Sequence, residues 1–112
     1  MAVRDTKRKE DLKIVQQALE LYYERYGRVP HLLADSTSRL WRRNLKGELK
    51  ELLNIKEIPV DPINNEVYHH SYDGSLDREQ SHALSAVLEN PIDPDGSSYV
   101  IYGGHRRPII KK

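Results

Sequence analysis

The sequence contains no cysteine, which excludes a disulfide framework, a thiolate zinc site, an iron–sulfur cluster and a cysteine nucleophile. It has no run near the roughly 20 apolar residues that cross a bilayer, and no basic segment leads into a signal-peptide core. Neither charge sign is in excess: 18 Lys and Arg face 17 Asp and Glu, for a formal net charge of +1. A surface built mainly to hold a polyanion needs a basic excess on one face, so nucleic acid is only a secondary idea. There is no glycine-rich phosphate loop, no nucleophile elbow and no evident acid–base pair. Ser81-His82 is adjacent on a strand pattern, which splays the two side chains apart. No enzymatic activity is expected, and there is no internal repeat or low-complexity tract.

What the chain does have is enough periodic apolar sequence for one modest core, so residues 1–112 are read as a single domain. Residues 4–26 contain neither proline nor glycine and are rich in helix formers, predicting a helix of about six turns. Leu12, Val15, Leu19, Tyr22 and Tyr26 step by three and four, forming one stripe that Ala18, Leu21 and Tyr23 widen. That stripe is predicted to pack on a sheet. Gly27 stands where a left-handed residue stops a helix, and Pro30 follows at the usual distance. The first two turns differ, because Arg4, Asp5, Lys7, Arg8, Lys9, Glu10 and Asp11 put charge on every side and leave no face to bury. A helix of that kind is marginal unless it continues into something else, so Met1 is read as an engineered start partway along a longer helix.

Residues 31–38 read as a polar connector in which Asp35, Ser36 or Ser38 could cap the next element. Trp41, Leu45, Leu49 and Leu52, with Leu53 beside them, predict a second, shorter helix ending near Asn54, although Gly47 costs it about 1 kcal/mol of propensity. Pro59 and Asp61-Pro62 make a stiff extended link. Beyond it the period becomes two. Residues 67–72 place Tyr68, His70 and Tyr72 on one face, residues 81–88 group Leu84, Ala86 and Leu88, and residues 98–102 are rich in strand formers. Asp73-Gly74-Ser75, residues 90–96 and Gly103-Gly104 read as the turns and the end. The plan is α+β: a long N-terminal helix lying across a three- to four-stranded antiparallel sheet, with the second helix and its connector covering an edge.

At this point the residues carry a likeness. A charged leader from Arg4 to Asp11, a Gln16-x-Ala18-Leu19-x-x-Tyr22-Tyr23 centre and a Tyr26-Gly27-x-x-Pro30 exit resemble the segment that follows the membrane-spanning part of type IV pilins and type II secretion pseudopilins. Ile58-Pro59-Val60-Asp61-Pro62, Tyr68 and Tyr72 are similar to the family's approach to its sheet, and Ala86-Val87-Leu88-Glu89-Asn90 and Ser98-Tyr99-Val100-Ile101-Tyr102 to its later strands. The family's apolar helix, its glutamate and its peptidase site are not in this sequence, nor are its C-terminal disulfide or a match to its calcium loop. The resemblance implies a pilin-like roll and a structural, non-enzymatic subunit of a pilus or pseudopilus, serving filament assembly, secretion, adhesion or motility. Its partners would be other subunits and the membrane assembly machinery. The full-length form would sit in the cytoplasmic membrane and then in a periplasmic or surface filament, while this head alone is expected to be monomeric. Arg4, Asp5, Lys7, Arg8, Glu10 and Asp11 are then candidate subunit contacts, since mixed charges suit a staggered array.

Three other features are weighed against ordinary explanations. Asp93-Pro94-Asp95-Gly96, and Asp73-Gly74 with Asp77, could offer oxygens to calcium, but neither has the register of an EF-hand and both are good turn sequences, so no cofactor is expected. His69 and His70 point to opposite faces of a strand, and one or both read as surface or edge residues, while His82 and His105 belong to no local motif, so no metal site is expected. Trp41 among Arg39, Arg42, Arg43 and Lys46, with Arg106, Arg107, Lys111 and Lys112, could form a basic surface for nucleic acid or a partner protein, which is the alternative function. The commoner reading is a solvated helix face with Trp41 in the core.

Overall fold

The computed structural model describes residues 2–52, 58–76, 81–90, 92, 94 and 96–104. Helix α1 runs Ala2–Tyr26, and it stops where the sequence says it should. Gly27 takes a φ of +74° and its N–H donates to the Tyr23 carbonyl at 2.7 Å. Strand β1 (Leu33–Asp35) follows, then a π-helical segment (Leu40–Leu45) that runs directly into the short helix α2 (Lys46–Leu49). Strands β2 (His70–Leu76), β3 (Ser81–Val87) and β4 (Ser98–Gly104) complete the elements among the described residues. All four strands form one antiparallel sheet in sequence order, so the architecture is α+β.

Strand β1 lies within the stretch expected to be a polar connector. Ala34 pairs with Tyr72 in register, and a three-residue strand is too short to carry a period-two signal. None of the expected capping residues is the N-cap of the next helical segment, which is Arg39 with no side-chain cap, and Ser36 does other work. The buried Ser36 hydroxyl donates to Asn64 Oδ1 at 2.5 Å and accepts the His70 N–H at 2.9 Å, tying the end of β1 to β2. The second helix is also shorter and wider than expected. Its described helical part ends at Leu49, and the Lys46 N–H reaches back to the carbonyls of both Arg43 and Trp41. Trp41, Leu45 and Leu49 all point into the core, and the expected end near Asn54 lies outside the described residues.

The core lies between α1 and the sheet. Leu12, Val15, Ala18, Leu19 and Tyr22 on the helix meet Tyr72, Leu84 and Ala86 on the strands, with Trp41, Leu45, Leu49, Val29 and Ile58 closing one side. Along β3 burial alternates strictly, so His82, Leu84 and Ala86 face the helix while Ser81, Ala83, Ser85 and Val87 face away. Tyr26 does not join this core. It is 53% exposed at the last turn of α1 and leans on Tyr22 with ring centroids 4.5 Å apart.

One irregularity follows from close packing. The β2–β3 register shifts between Asp73 and Leu76, and Gly74 sits in that shift. Tyr72 donates its hydroxyl to the Pro30 carbonyl at 2.7 Å directly over Gly74, and any Cβ there would run into both groups.

Leu19→Ala should cost about 2–5 kcal/mol, because it opens a cavity in the middle of this core. Tyr26→Ala should cost less than about 1 kcal/mol, as an exposed position with one ring contact. Urea unfolding of the two variants checks the contrast, and equal losses would contradict the packing described.

Candidate functional site

The seam of α1 does not end at Leu12. Counting back by four and then three reaches Arg8 and Asp5, and both are buried, with relative exposures of 0% and 2%. The first turns therefore do have an inward face, contrary to the expectation of charge on every side; that face is ionic where the rest of the stripe is apolar.

Arg8 is the hub. Its Nε and Nη2 donate to the two oxygens of Asp61 at 2.7 and 3.1 Å, and its Nη1 donates to Asp5 Oδ1 at 2.8 Å and Glu89 Oε2 at 2.6 Å. Its guanidinium carbon also lies 5.1 Å from the centre of the Tyr68 ring. Each carboxylate is held by more than Arg8. Asp5 accepts the N–H groups of Glu89 and Asn90, both at 2.9 Å, just past the end of β3. Asp61 accepts the N–H groups of Ile63 at 2.8 Å and Asn64 at 3.3 Å, which is the turn that Asp-Pro initiates. Glu89 also takes two bonds of 2.6 Å from Arg4. Beside this group, Lys7 donates to Asp11 Oδ1 at 2.5 Å, and His70 Nε2 lies 3.2 Å from Asp11 Oδ2.

The electrostatics follow from these partners. Burial alone would push the Asp5 and Asp61 carboxyls up, but the backbone N–H groups and the Arg8 guanidinium outweigh it and hold both below the usual carboxylate range. Hydrogen bonds from Arg4, opposed by desolvation and reinforced by Arg8, bring Glu89 down to about 2. Burial opposes the charge on Arg8, yet its carboxylate partners raise it above the ordinary arginine value. At the other end of α1, burial and Glu48, which accepts the Tyr22 hydroxyl at 2.6 Å, push that phenol up to about 12.

This arrangement binds the chain to itself. The guanidinium donates to three carboxylates, so Arg8 is committed to internal partners, and the cluster joins segments 53 and 81 residues apart in sequence. Of the six candidate subunit contacts, Asp5, Arg8 and Asp11 are therefore turned inward and engaged. Arg4, Lys7 and Glu10 stay exposed, Arg4 and Lys7 with internal partners. Of the five predicted packing residues, Leu12, Val15, Leu19 and Tyr22 meet in the core and Tyr26 does not. Asp61, Glu89 and His70 belong to the cluster, although the motifs that contain them do not point toward α1. The signal that was available is the phase of the stripe, which leads from Leu12 back to Arg8 and Asp5.

The other candidates resolve more simply. His70, a candidate surface or edge residue, is fully buried on β2, and His82 is buried on β3 with its Nε2 2.5 Å from Gln16 Oε1. His69 lies 3.0 Å from the Asn65 carbonyl. Trp41 is fully buried and donates its indole N–H to the Pro59 carbonyl at 2.8 Å, so it has no face for stacking on a nucleic acid, while Arg39, Arg42 and Arg43 around it are exposed. Asp73 accepts the N–H and hydroxyl of Ser75 at 2.9 and 2.6 Å within the irregular stretch of β2, so the Asp73-Gly74-Ser75 turn expected from the sequence is part of a strand; Asp77, Asp93, Asp95, His105 and the basic residues after it lie outside the described residues. Among the described residues no group of three His, Asp or Glu side chains is placed to hold a metal ion, and no helix is long and apolar enough to cross a membrane. Comparison with protein-family models, with curated proteins and with solved structures gives no match.

Arg8→Met should destabilise the fold by about 3–5 kcal/mol, since it leaves buried carboxylates without their cation. The depressed carboxyls also set the acid limit. Their contribution is fully present above the ordinary carboxylate values near pH 4 and is lost as pH falls through the folded values, Glu89 near 2 among the last. Chemical unfolding between pH 6 and pH 2 should show that loss in the wild type and a much shallower one in Arg8→Met; parallel curves would contradict the assignment.

Proposed function

We propose that this chain is the extracytoplasmic head of a structural, non-enzymatic subunit of a type IV pilus or type II secretion pseudopilus. In that reading an apolar helix leads into α1, anchors the protein in the cytoplasmic membrane and later bundles with its copies, while this domain forms the outer surface of the filament. Its partners are other subunits and the membrane machinery that assembles them.

The observation that carries the reading is the continuous attachment of a long N-terminal helix to an antiparallel sheet. Inward positions run from Asp5 and Arg8 through Leu12, Val15, Leu19 and Tyr22, ionic at the start and apolar afterwards. A subunit whose helix is held in a bundle while its head meets the outside must pass force between the two. Helix and sheet joined over about five turns do this better than a flexible hinge, and buried ion pairs fix one register between them. The charged leader, the Gln16-x-Ala18-Leu19-x-x-Tyr22-Tyr23 centre and the Tyr26-Gly27-x-x-Pro30 exit support the same reading. Arg4, Lys7 and Glu10 remain on the exposed side of the leader, where neighbouring copies could meet them.

Single cysteine replacements at the exposed Glu10, Lys13 or Gln17, compared with the unreplaced protein, give reporters in cells making the whole encoded protein. A bifunctional maleimide should join copies into dimers, and the protein should appear in the membrane and sheared-filament fractions. Protein recovered only as uncrosslinked cytosolic monomer would sink the proposal.

A further inference from the structure

His70 occupies an unusual place beside the Arg8 cluster. The ring is fully buried, its Nε2 lies 3.2 Å from Asp11 Oδ2, and its Nδ1 lies 3.8 Å from Asp61 Oδ2. Nδ1 has no hydrogen-bond partner. Both ring nitrogens thus face carboxylate oxygens, which only accept. A neutral imidazole carries one N–H and one lone pair, so either tautomer aims a lone pair at a carboxylate. Only the ring with two N–H groups offers a positive edge to each side, as a hydrogen bond toward Asp11 and as an ion-pair contact toward Asp61.

The charges around the ring lead to the same conclusion. Asp5, Asp11, Asp61 and Glu89 supply four negative charges, whereas Arg4, Lys7 and Arg8 supply three positive ones. Among the described residues, the charged side chains in ion-pair contact with His70, and those paired to them, are in that count. From α1 these are Asp11, with Lys7 on its other oxygen, and Arg8; from the proline link, it is Asp61. The π-helical segment presents the uncharged Trp41 ring, 6.0 Å away, the turn after β1 presents the Ser36 hydroxyl to the His70 backbone, and β3 presents Ala86. Burial opposes charging an isolated imidazole, but here a fourth cation neutralises a buried cluster that otherwise carries an excess negative charge.

We infer that His70 holds a second proton in the folded chain, making it a proton-dependent clamp between the start of α1 and the Asp61 link. This goes beyond the filament reading and stands on its own observations. The sign is definite. An unfolded histidine releases its proton above about pH 6.5, so the clamp's stabilisation is full below that value and falls as pH rises beyond it. Between pH 7 and 8 the folding constant should drop by up to about tenfold per pH unit for the one proton involved.

The test is urea unfolding of the wild type and His70→Gln at pH 6, 7 and 8, with nitrogen-15 spectra of the wild-type imidazoles at pH 7. The expected result is a stability difference between the two proteins that shrinks toward pH 8, and a buried ring with both nitrogens protonated. A pH-independent difference, or a His70 ring with a bare Nδ1 at pH 7, would overturn the inference. If His70→Gln does not fold, the wild-type ring spectrum decides alone.

Discussion

The guanidinium of Arg8 is the constraint on which much of the rest depends. It is a planar cation with its donors in a fixed fork, and it meets three carboxylates that the sequence brings from the same helix, from the proline link and from the end of β3. Placing it in the interior costs desolvation that only a full set of partners offsets, so the geometry is close to all-or-none. Once Asp61 is held, the turn at Pro62 is set and the Pro59 carbonyl stands where the Trp41 indole can reach it. Trp41 in turn brings Leu45 and Leu49 over the core. The position of the second helical segment thus traces back, through Pro59 and Asp61, to one cation on the first helix.

The apolar seam and the ionic seam are one surface with two chemistries. Burial of Leu12, Val15, Leu19 and Tyr22 supplies most of the driving force, because apolar contact is favourable at any orientation that excludes water. It does not strongly choose among neighbouring placements of the helix along the sheet. Ion pairs with directed hydrogen bonds do, since moving the helix by one turn would leave Arg8 and Asp5 buried without partners. On the proposed reading, that register is what a filament subunit needs: a head fixed relative to its helix, so that every copy presents the same surface. The proton inferred at His70 belongs to the same economy of charge, as it brings the buried cluster close to neutrality.

Much of the architecture is legible in the residues. The helix and its stop at Gly27 follow from propensity and from the one residue that adopts a positive φ freely. Strand β3 follows most clearly from period-two patterning, whereas β2 begins only at His70 and runs on through the Asp73-Gly74-Ser75 turn signal, and the burial of Trp41 follows from its place at helical spacing with Leu45 and Leu49. Strand β1 was not legible, because three residues carry no period and its pairing is specified by Tyr72 and its neighbours on β2. The exposure of Tyr26 was not legible either, since a stripe shows which residues share a face but not how far along it burial continues.

The charged turns at the start of α1 divide most sharply between the two sources. Local sequence determined that residues 4–11 form a helix bearing both signs of charge, and that Asp5 and Arg8 share the phase of the apolar stripe. That this charged phase is buried, and against which partners, was decided by tertiary structure, because Asp61, Glu89 and His70 lie far away in sequence. Propensity and periodicity are properties of neighbouring residues. The fate of a charge depends on whether an opposite charge reaches it in a space without water, and only the assembled chain provides both.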